Sequence, residues 1–440
     1  MPKKQVITII GGGLAGSEAA WQIAERGCDV RIFDMKPDKH SPAHTSSNLG
    51  ELVCSNSFRS ADITSAVGLL KEEMRQCNSL IMQTAEETKV PAGKALAVDR
   101  EKFAEKITAA LNTHPLIDIV TKEILTIPLP TKTPIILATG PLTSQSLAGS
   151  LGELTGEKRL AFYDAIAPIV FKDSLNMDIV YQKSRYDNGP GDYLNCPMDK
   201  KTYLQFIHEL SHGKCVPLKD FEEVKYFEGC LPVEVICSRG EDTLRFGPMK
   251  PVGLADPNSG EDPYAVVQLR KENREGSTYN MVGFQTKLTY GEQKRIFRLI
   301  PGMENAEFPR LGSIHRNTYV LSPQILQATL QFKNRPDLLL AGQLSGVEGY
   351  VESAAMGLLA GINGARIMQK KPPVIPPPET ALGALVTHLT QSNPDQFQPS
   401  NINFGLFPPW KKKVRKKFRG ETRAKTALAE LRNWLETNKI

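Results

Sequence analysis

An α/β fold built on a parallel sheet and interrupted by an inserted α+β domain is predicted by three stretches of this 440-residue chain. The first, "VITIIGGGLAGSEAAWQIAERGCDVRIFDM", runs strand, glycine turn, helix, strand. The second, "TPIILATGPLTS" (133–144), and the third, "DLLLAGQLSGVEGYVESAAMGLLAG" (337–361), hold buried-type strands that each leave through a glycine. Continuous apolar strands separated by helical periodicity are the pattern of a sheet covered on both faces. Between the second and third stretches the pattern changes to mixed short strands and helices. This places one domain at residues 1–158 plus 326–440 and an insertion at 159–325.

Taken in order, the apolar run Val6–Ile10 is the first strand, and Gly11, Gly13 and Gly16 follow at G-x-G-x-x-G spacing. Gly11 permits the tight turn, Gly13 lets the backbone approach a pyrophosphate, and Gly16 lets the helix pack close on the sheet. Ala19, Ala20, Ile23 and Ala24 give that helix its apolar face, and its first N–H groups are available to phosphate. The second strand closes on Asp34, placed to accept hydrogen bonds from a ribose diol. Gly11, Gly12, Gly13, Leu14, Ala15, Gly16 and Asp34 are therefore candidate dinucleotide-binding residues. Gly140 in the second stretch, and Gly342 and Gly349 in the third, return backbone N–H groups to the same ligand from far along the chain. Flavin domains do this and a nicotinamide-only domain need not. The expectation is FAD in a Rossmann-type domain of the glutathione-reductase kind.

Bulk properties fit that frame. An apolar fraction of 40% with 23% charged residues is that of a soluble globular protein and not of a disordered chain. "MPKKQVITII" passes from two lysines straight into a strand, without a secretory h-region or cleavage site. No apolar run approaches the roughly 18 residues of a membrane span, so a cytoplasmic protein without membrane association is expected. Charge is concentrated: between Gly405 and Lys425 nine Lys and Arg face Glu421 alone. This patch reads either as a solvated tail or as a phosphate-binding surface. Lys411, Lys412, Lys413, Arg415, Lys416 and Lys417 are the candidate contacts to nucleic acid. Trp410 beside them is either a stacking platform for an unpaired base or a packing anchor.

Two further features concern metals and thiols. "HELSH" (His208 to His212) matches H-E-x-x-H, the helical zinc motif, on an amphipathic helix carrying Tyr203, Phe206, Ile207 and Leu210. Gly213 ends that helix at once and no third ligand follows nearby, so solvent-edge histidines and no metal site are expected. The seven cysteines (28, 54, 77, 196, 215, 230 and 237) are odd in number, scattered and without a C-x-x-C. Neither a disulfide framework nor a four-thiolate zinc site is suggested. Taken alone, Cys54 before a Ser-Asn-Ser turn and Cys230 after a glycine read as structural thiols.

A resemblance changes that reading. "GGGLAGSEAAWQIAERG", "PAHTSSNLGELVCSNSFRS", "YLNCPM", "FEGCLPVEVICSRGEDTLRFGPMKPVGL", "YNMVGFQTKLTYGEQKRIFRLIPGMENAEFPRLGSIHRNTYV" and "LLLAGQLSGVEGYVESAAMGLLAGINGA" resemble, block by block from residue 6 to about 407, the folate- and FAD-dependent tRNA uracil-5 methyltransferases. The resemblance implies transfer of a methylene from methylenetetrahydrofolate to C5 of the T-loop uridine at tRNA position 54. Reduced FAD would complete the methyl group, with NADH or NADPH as reductant. The partners it implies are tRNA and folate, with no obligate protein partner. By the family pattern Cys230 matches the nucleophile, Cys54 the proton-transfer partner, and Tyr350 a position near the flavin ring. Asp34 stands where the family more often has glutamate, and Cys237 falls where no functional thiol is expected.

The chemistry asks for such residues. C5 of uracil is a poor nucleophile, so a thiolate adds to C6 and makes an enolate that attacks the methylene. The C5 proton must then leave, the cysteine be eliminated, and the exocyclic methylene be reduced. A cysteine at its free pKa of about 8.5 is only a few per cent thiolate at pH 7, so a cation or helix N-terminus beside it is expected. The residues alone do not decide which of Cys54 and Cys230 attacks and which moves the proton. Arg59, Lys287, Arg295 and Arg298 are cations able to meet phosphate or folate carboxylates, and the target base is expected to be extruded into a pocket. The rival readings are the related flavin enzyme of the tRNA wobble uridine, expected to carry a longer C-terminal helical region, a small-molecule flavin oxidoreductase, and a flavin-containing tRNA-binding module without catalysis.

Overall fold

The computed structural model describes residues 5–156, 160–185, 191–217, 231–257, 260–410 and 414–440. The chain opens with β1 (Ile7–Ile10), α1 (Leu14–Ala24) and β2 (Val30–Asp34), the strand, turn, helix and strand expected. β3 (Ser57–Ser60), α2 (Ala66–Gln76), α3 (Leu80–Glu87), β4 (Lys89–Val90) and β5 (Ala95–Val98) follow, then α4 (Arg100–Thr113), β6 (Ile117–Thr121), β7 (Ile135–Leu137) and α5 (Gln145–Thr155). The middle of the chain holds β8 (Leu160–Ala165), β9 (Ile169–Phe171), β10 (Tyr181–Gln182), β11 (Tyr193–Met198), α6 (Lys200–His212), α7 (Val233–Cys237), α8 (Thr243–Phe246), β12 (Ala265–Lys271), β13 (Thr278–Met281), α9 (Tyr290–Phe297) and β14 (Ile314–Tyr319). It ends with α10 (Ser322–Ile325), β15 (Gln331–Phe332), β16 (Arg335–Leu340), α11 (Tyr350–Met368), α12 (Ala381–Gln391) and α13 (Arg419–Asn438).

The main sheet has the order β15-β16-β7-β1-β2-β6, parallel throughout except at the β15 edge. Ile135, Ile136 and Leu137 of β7 are buried on both faces, which is why that strand reads as an unbroken apolar run. The chain leaves this sheet after β7 and rejoins it with β15 and β16, where Leu339 of β16 pairs with Ile136. Small residues let α1 and α11 touch backbone to backbone. A Cβ on Gly357 would sit 2.2 Å from the Ala15 carbonyl oxygen, and one on Gly361 2.6 Å from that of Ala19. The two helices therefore run in the same direction, their N-terminal ends on one side.

A second core is drawn from residues 170–306, around the antiparallel sheet β10-β11-β12-β13-β9. Ala265, Val267 and Leu269 of β12 face that core, while Gln268 and Arg270 alternate onto the polar face. β8 and β14 pair antiparallel from Leu160↔Tyr319 to Ala165↔Ile314, a two-stranded ribbon that carries the chain in and out.

Candidate active site

The glycine turns of β1, β7 and β16 open on one cleft, lined by Gly11, Gly12, Gly13, Leu14, Ala15, Asp34, Gly140, Gly342 and Tyr350 among others. Gly11 has φ +102°, and a Cβ there would lie 2.5 Å from the Ala138 carbonyl oxygen, so this turn needs glycine. A Cβ on Gly13 would meet nothing within 4 Å, leaving open room where a phosphate would approach. No side chain caps the N-terminus of α1 and no acid stands in its first turn, so the end of that helix suits an anion. Asp34 accepts the Gly12 N–H on Oδ2 at 2.7 Å and the Lys36 N–H on Oδ1 at 2.9 Å. Each oxygen keeps a lone pair for a ribose hydroxyl. These residues fit an adenine dinucleotide of the FAD type. Gly16 and Gly349 lie behind the lining: a Cβ on Gly16 would be 1.8 Å from the Gly11 carbonyl oxygen, and Gly349 turns the chain into α11 at φ +105°.

Cys54 and Tyr350, 296 positions apart, meet in this region with Sγ 2.9 Å from Oη. The Tyr350 oxygen also accepts the backbone N–H of Cys54 at 2.7 Å and that of Ser55 at 3.1 Å. A phenol has two acceptor lone pairs and one proton. With both lone pairs taken by amides, its proton is left for the sulfur, and Tyr350 donates to Cys54. Burial, with the charge of Asp164 as second cause, nevertheless pushes the Cys54 thiol up to about 12, while the Tyr350 hydrogen bond and the Arg100 charge pull the other way. Burial likewise holds the Tyr350 hydroxyl well above its ordinary value. Burial, with the charge of Asp164 as second cause, pushes the carboxyl of Glu348, beside the start of α11, well above its ordinary value, and Glu348 accepts the Gln343 amide at 2.6 Å.

The loop carrying Cys54 is gripped from both cores. Arg100, at the start of α4, donates to the Leu52 carbonyl at 2.7 Å and forks onto Glu272 at 3.0 and 3.1 Å. Arg270, on the polar face of β12, donates to Ser55 Oγ at 2.8 Å and Asn56 Oδ1 at 3.0 Å. The Asn56 amide spans the Val98 and Lys271 carbonyls at 2.9 and 2.8 Å. Arg100 is the cation whose charge bears on Cys54, but burial outweighs it, so the activated thiol expected from the chemistry is not found at Cys54. Sequence reasoning passed over Arg100, Arg270 and Asn56, because each acquires its role from a partner more than 40 residues away.

Cys230 lies outside the described residues. The neighbouring segment is pinned: Val233 N–H donates to the Gln285 carbonyl at 2.7 Å, and Glu234 accepts the Thr286 hydroxyl at 3.0 Å. Cys237 is buried in the second core, 3.7 Å from the Ile207 carbonyl oxygen. His208 and His212 are exposed on α6, with His212 Nδ1 2.7 Å from the His208 carbonyl oxygen, and Glu209 is paired to Arg295 at 2.5 Å. Among the described residues no group of three or more His, Cys, Asp or Glu is arranged to hold a metal ion, and no helix is long and apolar enough to cross a membrane. Arg295 is held by Glu209 and Glu292, and Arg298 caps the Ala306 carbonyl. Arg59, at φ +63°, is paired with the fully buried Glu352. Lys411, Lys412 and Lys413 are outside the described residues, whereas Arg415, Lys416 and Lys417 are exposed. Trp410 is half-buried, with the Arg423 guanidinium 3.9 Å from its ring centre.

Residues 6–372 match the family described as glucose inhibited division protein A. The chain is 70% identical over 430 residues to the methylenetetrahydrofolate--tRNA-(uracil-5-)-methyltransferase TrmFO of Desulfotalea psychrophila, spanning 98% of this chain and 97% of that one. It is 56% identical to the protein of the same name from Geobacter sulfurreducens, over 98% of this chain and 99% of that one. Among solved structures it is similar to GidA of Aquifex aeolicus, with a TM-score of 0.71 at 17% identity over 98% of this chain and 73% of that chain, a likeness of fold.

Proposed function

The chain belongs to the methylenetetrahydrofolate–tRNA-(uracil-5-)-methyltransferases within the glucose inhibited division protein A family, and from that premise we propose how its cleft works. The chain is a methyltransferase that takes one carbon from methylenetetrahydrofolate to C5 of a tRNA uridine. We further assign the target to T-loop position 54, the cleft to FAD, the reductant to NADH or NADPH, and the protein to the cytoplasm. Residues 1–158 plus 326–440 hold the cofactor and 159–325 form the inserted unit, a division that the separate core of residues 170–306 supports.

In this reading Gly11, Gly12, Gly13, Leu14 and Ala15 hold the pyrophosphate, Asp34 the ribose, and Gly140, Gly342 and Tyr350 the flavin side of the cleft. When bound and reduced, FAD supplies the hydride that turns the exocyclic methylene into a methyl group. Cys230 is assigned as the nucleophile. Its thiolate adds to C6, the C5–C6 electrons move onto the C4 carbonyl, and C5 then attacks the methylene carbon as the first folate C–N bond breaks. Loss of the C5 proton to Cys54 expels the second folate nitrogen and leaves an exocyclic methylene on C5, and Cys230 departs with its electron pair as that carbon is reduced.

The observation that carries the assignment of Cys54 is its setting against Tyr350, 2.9 Å away in a buried site that pushes the thiol up to about 12. At neutral pH such a thiol is ionised in only about one molecule in 100,000. It is a poor resting nucleophile, and becomes a strong base once it has given its proton to the first folate nitrogen to depart. Tyr350, donating to the sulfur, stabilises the thiolate at that moment. Purified protein given unmodified tRNA, methylenetetrahydrofolate and NAD(P)H is expected to form 5-methyluridine. Absence of that product while a bound, reducible flavin is present would sink the reading. Covalent RNA adducts separate the two cysteines: Cys54→Ala protein is expected to accumulate one, and Cys230→Ala protein to form none.

A further inference from the structure

A partly exposed aromatic side chain stands among cations on the C-terminal segment: Phe418, at 43% exposure. Arg415, Lys416, Lys417 and Arg419 are all exposed, and among the described residues none of the four is paired with a carboxylate. The Lys417 ammonium lies 4.7 Å from the centre of the Phe418 ring, a cation held against an aromatic face. The segment is rigidly seated. A Cβ on Gly420 would be 2.4 Å from the Thr64 carbonyl oxygen, so the first turn of α13 rests on the backbone of residue 64. Arg423 is fixed between Trp410 and Phe407, its guanidinium 3.9 and 5.2 Å from the two rings. Ten residues separate Thr64 from Cys54, a path of at most about 35 Å even if fully extended. Along it lies Arg59, partly exposed and held at the head of α11 by Glu352.

We propose that residues 415–419 form a tRNA-docking surface in which Phe418 stacks on an unpaired base while Arg415, Lys416, Lys417 and Arg419 track the phosphates. This rests on the methyltransferase reading and adds to it the place where the RNA is held while a uridine reaches Cys54. Cations alone would serve any polyanion. An aromatic face set among them is the arrangement of single-stranded nucleic-acid grooves, where stacking adds affinity with little dependence on salt and the cations carry the salt dependence.

The test uses the full-length protein with its cofactor, and an unmodified tRNA transcript as probe, with affinity measured across a salt series. Phe418→Ala is expected to weaken tRNA binding by about tenfold at every salt concentration, with a parallel log–log slope and the loss of methylation falling in KM. Phe418→Trp is expected to restore binding, because it keeps the stacking face. Lys416→Gln with Lys417→Gln is expected to lower the slope by about two. Equal tRNA affinity of Phe418→Ala and wild type, or rescue by Phe418→Leu as complete as by Phe418→Trp, would overturn the stacking surface even if the enzyme methylates tRNA. Phe418-dependent tRNA binding without any 5-methyluridine would overturn the activity and leave the surface standing.

Discussion

At the scale of single residues, the Tyr350 hydroxyl is the most exposed to test, because three groups depend on one oxygen atom. Tyr350→Phe keeps the ring against the cleft and removes the acceptor for the Cys54 and Ser55 amides and the donor to Sγ. Leaving buried amides unpaired costs about 1–3 kcal/mol, so lower stability is expected together with slower alkylation of Cys54 between about pH 8 and 10. An unchanged alkylation rate would mean that the phenol does not donate to the sulfur. Lys71 supplies a pH test nearby. It is fully buried, its amine donates to the Phe58 and Ser60 carbonyls at 2.7 and 2.6 Å, and burial, aided by the Arg59 charge, lowers its pKa from 10.5 to about 7. A neutral amine still has two N–H bonds for the two carbonyls. Above about pH 7 the folded chain has released a proton that the unfolded chain keeps up to about 10.5, so this residue makes stability rise with pH across that window. Its contribution is complete above the unfolded value and is lost as pH falls through 7. Subtracting a Lys71→Met stability profile from that of wild type is expected to leave this positive slope. A flat difference would count against the neutral amine.

At the scale of elements, the contact between α1 and α11 sets the cleft, because both helices present their N-terminal ends toward the cofactor side. Gly357→Ala places a methyl group 2.2 Å from the Ala15 carbonyl oxygen, and the helices must separate. A loss of roughly 1–3 kcal/mol or more is expected from such overpacking. A displaced α1 also means weaker cofactor retention, measured as flavin released on gel filtration. A variant as stable and as yellow as wild type would show that the backbones need not touch. Such contacts also explain what the sequence could and could not reveal. The strand, glycine turn and helix at residues 6–24 were legible because most of the constraint is local: Gly16 answers to the Gly11 carbonyl five positions back and Gly11 to the positive φ of its turn, whereas the close approach of Gly11 to Ala138 comes from the sheet and was not legible. The amphipathic helix ending at Gly213 was legible for the same reason. The grip on Cys54 was not, because Arg100 meets Glu272 across 172 positions and Tyr350 meets Cys54 across 296. The ordinary-looking "VDREKF" at 98–103 gave no sign that Arg100 would hold the loop that carries Cys54.

At the scale of the whole molecule, the C-terminal segment joins two functions that a truncation would confuse. By charge alone the basic stretch between Gly405 and Lys425 could be a solvated tail. The structure makes its deletion a folding experiment. Ala427, Leu431 and Trp434 of α13 are buried in the same core as Leu69, Leu70 and Met74 of α2, and Arg423 is clamped by aromatic rings on both sides. Deleting residues 408–440 is therefore expected to lower the melting temperature and to expose apolar surface, whatever it does to RNA. Burying a side chain of the size of Leu or Trp is worth about 2–3 kcal/mol, so removing several together is comparable to the 5–15 kcal/mol by which native domains are stable. Neutralising exposed charges keeps those contacts. A triple substitution of Arg415, Lys416 and Lys417 by glutamine is expected to leave the melting temperature within a degree or two. The same protein should lose tRNA affinity steeply at low salt and little at high salt, because counterion release is the quantity being removed. If the triple variant melts far below wild type, these side chains belong to the fold. If it binds tRNA equally well at low salt, the RNA is held elsewhere, and the contact of α13 with the turn after Arg59 serves packing alone.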